Sequence, residues 1–167
     1  MRQRRQTAFA VLISVTGMTR RSPSRKGLPR WLPIANTIVM FLNRRGMAVG
    51  TQHILTIAGR ATGKPRSTPV SIVSVAASRY IVSTGSGTQW VKNARSAKQA
   101  TLRRGRHVES VVLVEVPLAQ RGPILREFPV QVPGGMSFLE GVLGSKLDSD
   151  ALVAAAAELP VFRIDRA

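Results

Sequence analysis

Cysteine is absent from this chain. That removes disulfides, a thiolate nucleophile, iron–sulfur clusters and cysteine-ligated zinc together. Acidic residues are missing from its first two-thirds: no Asp or Glu stands before Glu109, while 20 Lys and Arg do. Residues 109–167 hold 5 basic and 8 acidic side chains, so the net charge of +17 divides into +20 and −3. Aromatic residues make up only 5% of the sequence, and Tyr80 is the single tyrosine. Single-strand nucleic-acid surfaces need several stacked rings, so this scarcity disfavours nucleic acid as a partner. Two histidines exist, His53 and His107. G-x-S-x-G, H-E-x-x-H and calcium-loop patterns are lacking, so no metal site is expected and protein-borne hydrolysis is disfavoured.

What remains is a chain able to fold. Its 167 residues include 47 Leu, Ile, Val and Phe, enough for one domain with its own core and too many for a disordered chain. Residues 1–27 read as a basic extension. Their apolar run, 8–15, is too short to span a bilayer and lacks a signal-type cleavage site; Met18 is an alternative start. Residues 28–167 read as a single domain, opening with an amphipathic helix over 28–45. There Trp31, Ile34, Ala35, Ile38, Phe41 and Leu42 form one apolar stripe. Packing on the domain core is the plainer role for this helix; lying on a membrane or covering a pocket is the alternative.

From Gln52 the apolar period changes from three or four residues to two. Segments 53–58, 67–75 and 79–84 are rich in Ile, Val and Thr, as strands are. A short helix is expected between Thr88 and Lys98, then a hairpin reaching Arg103, turning at Gly105 and returning over 108–116, where Pro117 ends it. Helices are expected over 118–128 and 149–159, the second with Ser149 as its N-cap, and 161–165 reads as a last strand. Strands and helices outside a repeating βα rhythm predict an α+β domain on an antiparallel sheet or small barrel.

Two segments invite chemistry. Gly59-Arg60-Ala61-Thr62-Gly63-Lys64 resembles a phosphate-binding P-loop but fails as one. Its glycines are one residue too close, and Pro65 replaces the hydroxyl residue that would hold magnesium. It remains a glycine-bearing turn with Arg60, Lys64 and Arg66, suited to clamping an anion or simply to solvation. Ser83-Thr84-Gly85-Ser86-Gly87-Thr88 leads from a strand into a helix, a junction where free N–H groups favour an anionic or ring-bearing ligand. Trp90 is then either a core anchor or a wall for a ring, and Asn93 either a local cap or a ligand-facing amide.

Taken in order, the run from Leu55 to Pro69, then Ile81-Val82-Ser83, then Trp90-Val91-Lys92-Asn93-Ala94-Arg95, resembles the deazaflavin-dependent nitroreductase and F420-dependent quinone reductase family. The likeness spans about residues 28–117. It implies a split β-barrel of the FMN-binding type with flanking helices, and coenzyme F420 as cofactor. The family's cofactor contacts carry over to Arg60, Ala61, Thr62, Lys64 and Arg66 in and after the turn, and to Ser67, Thr68, Pro69 and Val70 on the next strand. They carry over further to Ile81, Val82, Ser83 and Thr84, and to Gln89, Trp90, Val91, Lys92 and Asn93. Arg60, Lys64, Arg66 and Lys92 would meet phosphate and carboxylates, while the strands and Trp90 hold the flat ring.

The chain also departs from the family. Ala61 stands where many members carry Lys or Arg and Thr84 where some carry a further Lys, the glycine-rich loop before Trp90 is shortened, and the pocket tyrosines of quinone- and nitro-reducing members have no counterpart.

The resemblance implies a reductase passing hydride from reduced F420 to a small electrophile such as a quinone or nitroaromatic. Ser83 is the residue expected to orient the acceptor or relay a proton. The alternative is a non-catalytic basic module for nucleic acid or an anionic membrane; an FMN reductase on the same barrel is a narrower option. Expected partners are a small-molecule acceptor, an anionic membrane surface touched peripherally, and a second copy of the chain as a homodimer. The expected location is the cytoplasm, with the inner face of the plasma membrane as the peripheral site.

Overall fold

The structure, a computed structural model, describes residues 52–143, 146 and 148–167. The basic extension over 1–27 and the helix expected over 28–45 lie outside the described residues.

Six strands form the frame: β1 (Gln52–Ala58), β2 (Pro65–Val75), β3 (Ser78–Val82), β4 (Gln99–Arg104), β5 (His107–Glu115) and β6 (Val161–Arg166). Every pairing is antiparallel, and the order β1-β2-β3-β6-β5-β4 closes through the β1–β4 pair into a barrel. The expected α+β split barrel is thus borne out. Four helices join the strands: α1 (Gln89–Ala97), α2 (Arg121–Gln131), α3 (Gly135–Leu143) and α4 (Ser149–Ala154).

The two-residue period builds two cores from the same strands. Leu55, Ile57, Val70, Ile81, Leu102, Val111, Leu113, Phe162 and Ile164 fill the barrel, joined by Val91 and Ala94 of α1. Neighbouring positions of opposite parity, Val73, Val82 and Val161, face outward and are covered by Ile124, Leu125, Phe128, Leu139 and Leu152 of α2, α3 and α4. Helix α1 therefore plugs one mouth of the barrel, while α2 lies over β2 and β3 with α3 and α4 packed on it. At the far mouth Arg79 and Glu109, in the same inward rows as Ile81 and Val111, make a two-pronged ion pair, with Nη2 3.0 Å from Oε2.

Some expected boundaries shift for local reasons. Strand β3 stops at Val82, because the Ser83 and Thr88 hydroxyls organise a loop in its place. Asp148, not Ser149, caps α4: its Oδ1 accepts the Asp150 and Ala151 N–H groups at 3.1 and 2.7 Å. The helix expected over 149–159 shortens to Ser149–Ala154 followed by a 3₁₀ turn, Ala155–Ala157. The segment expected as a helix over 118–128 begins with a 3₁₀ turn, Leu118–Gln120, and then runs past Pro129 to Gln131. Its end is closed by the Val132 N–H on the Phe128 carbonyl at 2.9 Å.

A buried arginine ties these layers together. Arg121, 8% exposed, donates from Nε to the Val116 carbonyl, from Nη1 to the Ala156 carbonyl (both 2.9 Å) and from Nη2 to Glu115 at 3.2 Å. Glu115 also receives Arg95 of α1 at 2.7 Å through both of its oxygens.

Candidate functional site

Three segments, the last two of them consecutive in sequence, meet at the mouth plugged by α1. The first is the β1–β2 turn, residues 59–64. It is closed by Gly59 N–H on the Lys64 carbonyl (2.9 Å) and Gly63 N–H on the Gly59 carbonyl (2.7 Å). Gly63 sits at φ 65°, the left-handed conformation that favours glycine. Arg60, Ala61, Thr62, Lys64, Arg66 and Ser67 are exposed here, and the Ser67 hydroxyl is 2.8 Å from that of Thr56.

The second segment is α1. Asn93 is 5% exposed, and a buried amide must find partners. Its Oδ1 accepts the Arg60 main-chain N–H at 3.2 Å and the Arg60 Nη1 at 3.3 Å. Gln89, one turn earlier on the same helix face, accepts the same Nη1 at 3.0 Å. The turn and the helix are thereby locked together. Trp90 is half-buried against the barrel core, its ring 5.4 Å from that of Phe162 and tilted by 58°. Of the two sequence readings, the geometry supplies the core anchor. Val91 is wholly buried, whereas Lys92 is exposed.

The third segment is the loop after β3. Ser83 is 1% exposed. Its hydroxyl lies 3.0 Å from the Gly85 carbonyl and 3.1 Å from the Thr88 hydroxyl, and it receives the Gly85 N–H at 3.3 Å. Thr88 in turn donates to the Gly85 carbonyl at 3.0 Å, so its side chain does not cap α1. Among the described residues no side chain caps the first N–H groups of that helix, and no acidic residue stands in its first turn.

The predicted residues thus fall into two sets. Arg60, Gln89 and Asn93 are brought into direct contact, with Lys64 exposed on the turn, Arg66 at the start of β2 and Lys92 on the helix. Val70, Ile81, Val82 and Val91 turn their side chains into the cores, so only their main chain is offered to a ligand, while Thr68, Pro69 and Thr84 are half-buried. Phe162, which backs Trp90, was missed in the sequence; its only signal was the alternation of its own strand. Beside the turn, a groove of about 470 Å³ runs along the barrel wall, lined by Thr56, Ala58, Gly63, Pro65, Thr101 and Ser110 among others. That volume is within the range of small-ligand sites. A smaller cavity of about 170 Å³ lies away from these segments, between β5 and α2.

A family model described as F420H(2)-dependent quinone reductase matches residues 40–137, more than half of the sequence. The chain belongs to this family. It is an F420-dependent oxidoreductase, and coenzyme F420 is its cofactor.

Solved structures resemble the reductase at low identity. One described as a domain-swapped dimer is 16% identical, with 81% of this chain and 97% of that chain covered and a TM-score of 0.50. A protein of unknown function from Agrobacterium tumefaciens is 10% identical, with 84% and 58% covered and a TM-score of 0.52. An F420-H2 dependent reductase, FDR-A, is 17% identical, with 69% and 94% covered and a TM-score of 0.49. The first two support the fold. No curated protein matches the chain.

The residues fit the cofactor. Arg60, Lys64, Arg66 and Lys92 make no ion pair with any described carboxylate, a donor set complementary to a phosphodiester and glutamyl carboxylates. Among the described residues, no group of His, Asp and Glu is placed to hold a metal, and no helix is long and apolar enough to cross a membrane.

Proposed function

We propose that the reductase uses coenzyme F420 to reduce a small electrophile of the quinone or nitroaromatic class. The observation that carries this reading is the lock between Arg60 and α1, which gathers the cationic turn and the glycine–hydroxyl loop at one barrel mouth. When bound, the reduced coenzyme supplies the hydride, and the protein supplies binding and orientation.

On this reading Arg60, Lys64, Arg66 and Lys92 hold the phosphate and carboxylates. Ala61, Thr62 and residues 67–70 line the path beside the groove. Main-chain groups of Ile81, Val82 and Thr84 edge the ring, and Trp90 offers it a face. Ser83 acts on the acceptor through the loop it organises, since its buried hydroxyl is engaged with Gly85 and Thr88. Residues 28–167 serve as one domain and 1–27 as an extension. The ten basic residues before Gly46 fit a cytoplasmic enzyme touching the anionic inner face of the plasma membrane, where a lipophilic quinone would be met. Association into a homodimer belongs to the same reading.

Titrating the purified chain with oxidised F420, FMN, a random oligonucleotide and anionic vesicles tests these assignments. Parallel arms use a chain beginning at residue 28 and light scattering for mass. Micromolar F420 binding is expected, weakened about tenfold or more by Arg60→Ala or Arg66→Ala, since charge-assisted hydrogen bonds contribute roughly 1.5–3 kcal/mol each. Reduced F420 should be oxidised by quinones or nitro compounds. Absence of F420 binding, with steeply salt-dependent oligonucleotide binding in its place, would overturn the reading.

A further inference from the structure

We infer that Asn93 and Gln89 are positioning residues that form a neutral clamp, fixing Arg60 while leaving its charge available to an anionic ligand. The inference deepens the proposed function and rests on it for the identity of that ligand.

An exposed arginine on a glycine-bearing turn samples many rotamers, and binding an anion must freeze them. Here that ordering is already in place. Both N–H groups of Nη1 have acceptors, Gln89 Oε1 at 3.0 Å and Asn93 Oδ1 at 3.3 Å, and the same Asn93 oxygen holds the Arg60 main-chain N–H at 3.2 Å. Side chain and main chain of one residue are therefore tied to one helix. Nε and Nη2 keep three N–H groups with no partner among the described residues.

The chemistry of the two acceptors matters as much as their placement. Three other arginines are oriented by carboxylates: Arg79 by Glu109, Arg95 by Glu115 and Arg163 by Asp165. A carboxylate fixes a guanidinium and cancels its charge. An amide oxygen orients it with a weaker hydrogen bond and leaves its charge uncancelled. The arginine at the ligand-facing turn is held instead by two side-chain amides.

The test compares substitutions that separate orientation from charge. Gln89 is exposed, so Gln89→Glu and Gln89→Leu are both tolerable to the fold; Asn93→Asp and Asn93→Ala serve at the buried position. Dissociation constants for oxidised F420 are read by fluorescence at low and high salt, alongside hydrogen exchange of the Arg60 amide without cofactor. A purely structural acceptor would work better as Glu than as Leu. The neutral clamp predicts the reverse: Gln89→Glu and Asn93→Asp weaken binding roughly tenfold, the order for one unit charge added within a few ångströms near the surface. Gln89→Leu weakens it only about two- to threefold. The gap narrows at high salt, and the Arg60 amide exchanges faster in Asn93→Ala while staying protected in Asn93→Asp.

Equal or tighter binding by the folded Glu and Asp variants overturns the clamp. So does unchanged Arg60 exchange in Asn93→Ala. If the wild-type chain does not bind F420, the proposed function fails instead, and the exchange measurement alone decides whether Asn93 holds Arg60.

Discussion

Among single residues, Arg121 shows how far a side chain's role departs from its type. Arginines are rarely buried unless fully partnered, and this one spends its fork on two main-chain carbonyls and Glu115. Removing it strands buried acceptors, each costing about 1–3 kcal/mol. Arg121→Met should therefore lower stability by roughly 2–4 kcal/mol, seen as a reduced urea midpoint with an unchanged slope. A midpoint within error of wild type would show that the carbonyls find other donors. Nothing in the sequence distinguishes this arginine from its neighbours, because its partners lie at positions 115, 116 and 156. The contact between Arg60 and Asn93 was hidden for the same reason. The motifs brought both residues to notice as separate ligand contacts, but only the fold places position 93 against position 60.

At the level of elements, the β2–β3 hairpin carries an unusual turn. Val75 pairs with Ser78, and the two central residues, Ala76 and Ala77, sit at φ 47° and 62°. Two-residue hairpins need such positive φ values and normally take Asn-Gly there. An alanine held in this region is disfavoured by about 1–2 kcal/mol, partly offset in an exchange to glycine by the freer unfolded chain. Ala77→Gly should consequently stabilise the protein by about 0.5–1 kcal/mol, raising the thermal midpoint by a few degrees; a lower midpoint would contradict this account. The strands themselves were legible in the sequence because a two-residue apolar period has one structural solution. The hairpin turn at Gly105 was legible as well, and that glycine takes φ 60°. Helix α3 was not. Gly135 and Gly141 weaken its intrinsic preference, and it forms because Leu139 and Met136 pack beneath α2 and α4. Likewise Asp148 and Ser149 are both good caps by type, and only main-chain geometry selects between them.

For the whole molecule, charge pairing sets the response to acid. The Arg79 guanidinium, by hydrogen bonding, holds the Glu109 carboxyl below its ordinary range against the opposing effect of burial; Arg95 does the same for Glu115. Because the folded values lie below the unfolded ones, the stability these pairs add is complete above the unfolded carboxylate range. It is lost as the pH falls through that range toward the folded values. The thermal midpoint should stay level from pH 7 to about pH 5 and decline below. Glu109→Gln should lower the plateau and flatten the decline, and an identical pH slope in this variant would exclude the pair as a contributor. The closed ring bears on the same experiment. With β1 hydrogen-bonded to both β2 and β4, the described sheet has no free edge, so it offers no template on which another chain can add a strand. Clumping of a warmed or acidified sample should then require strands to part first. Its onset would follow unfolding in step, and variants that raise the melting point would delay both together.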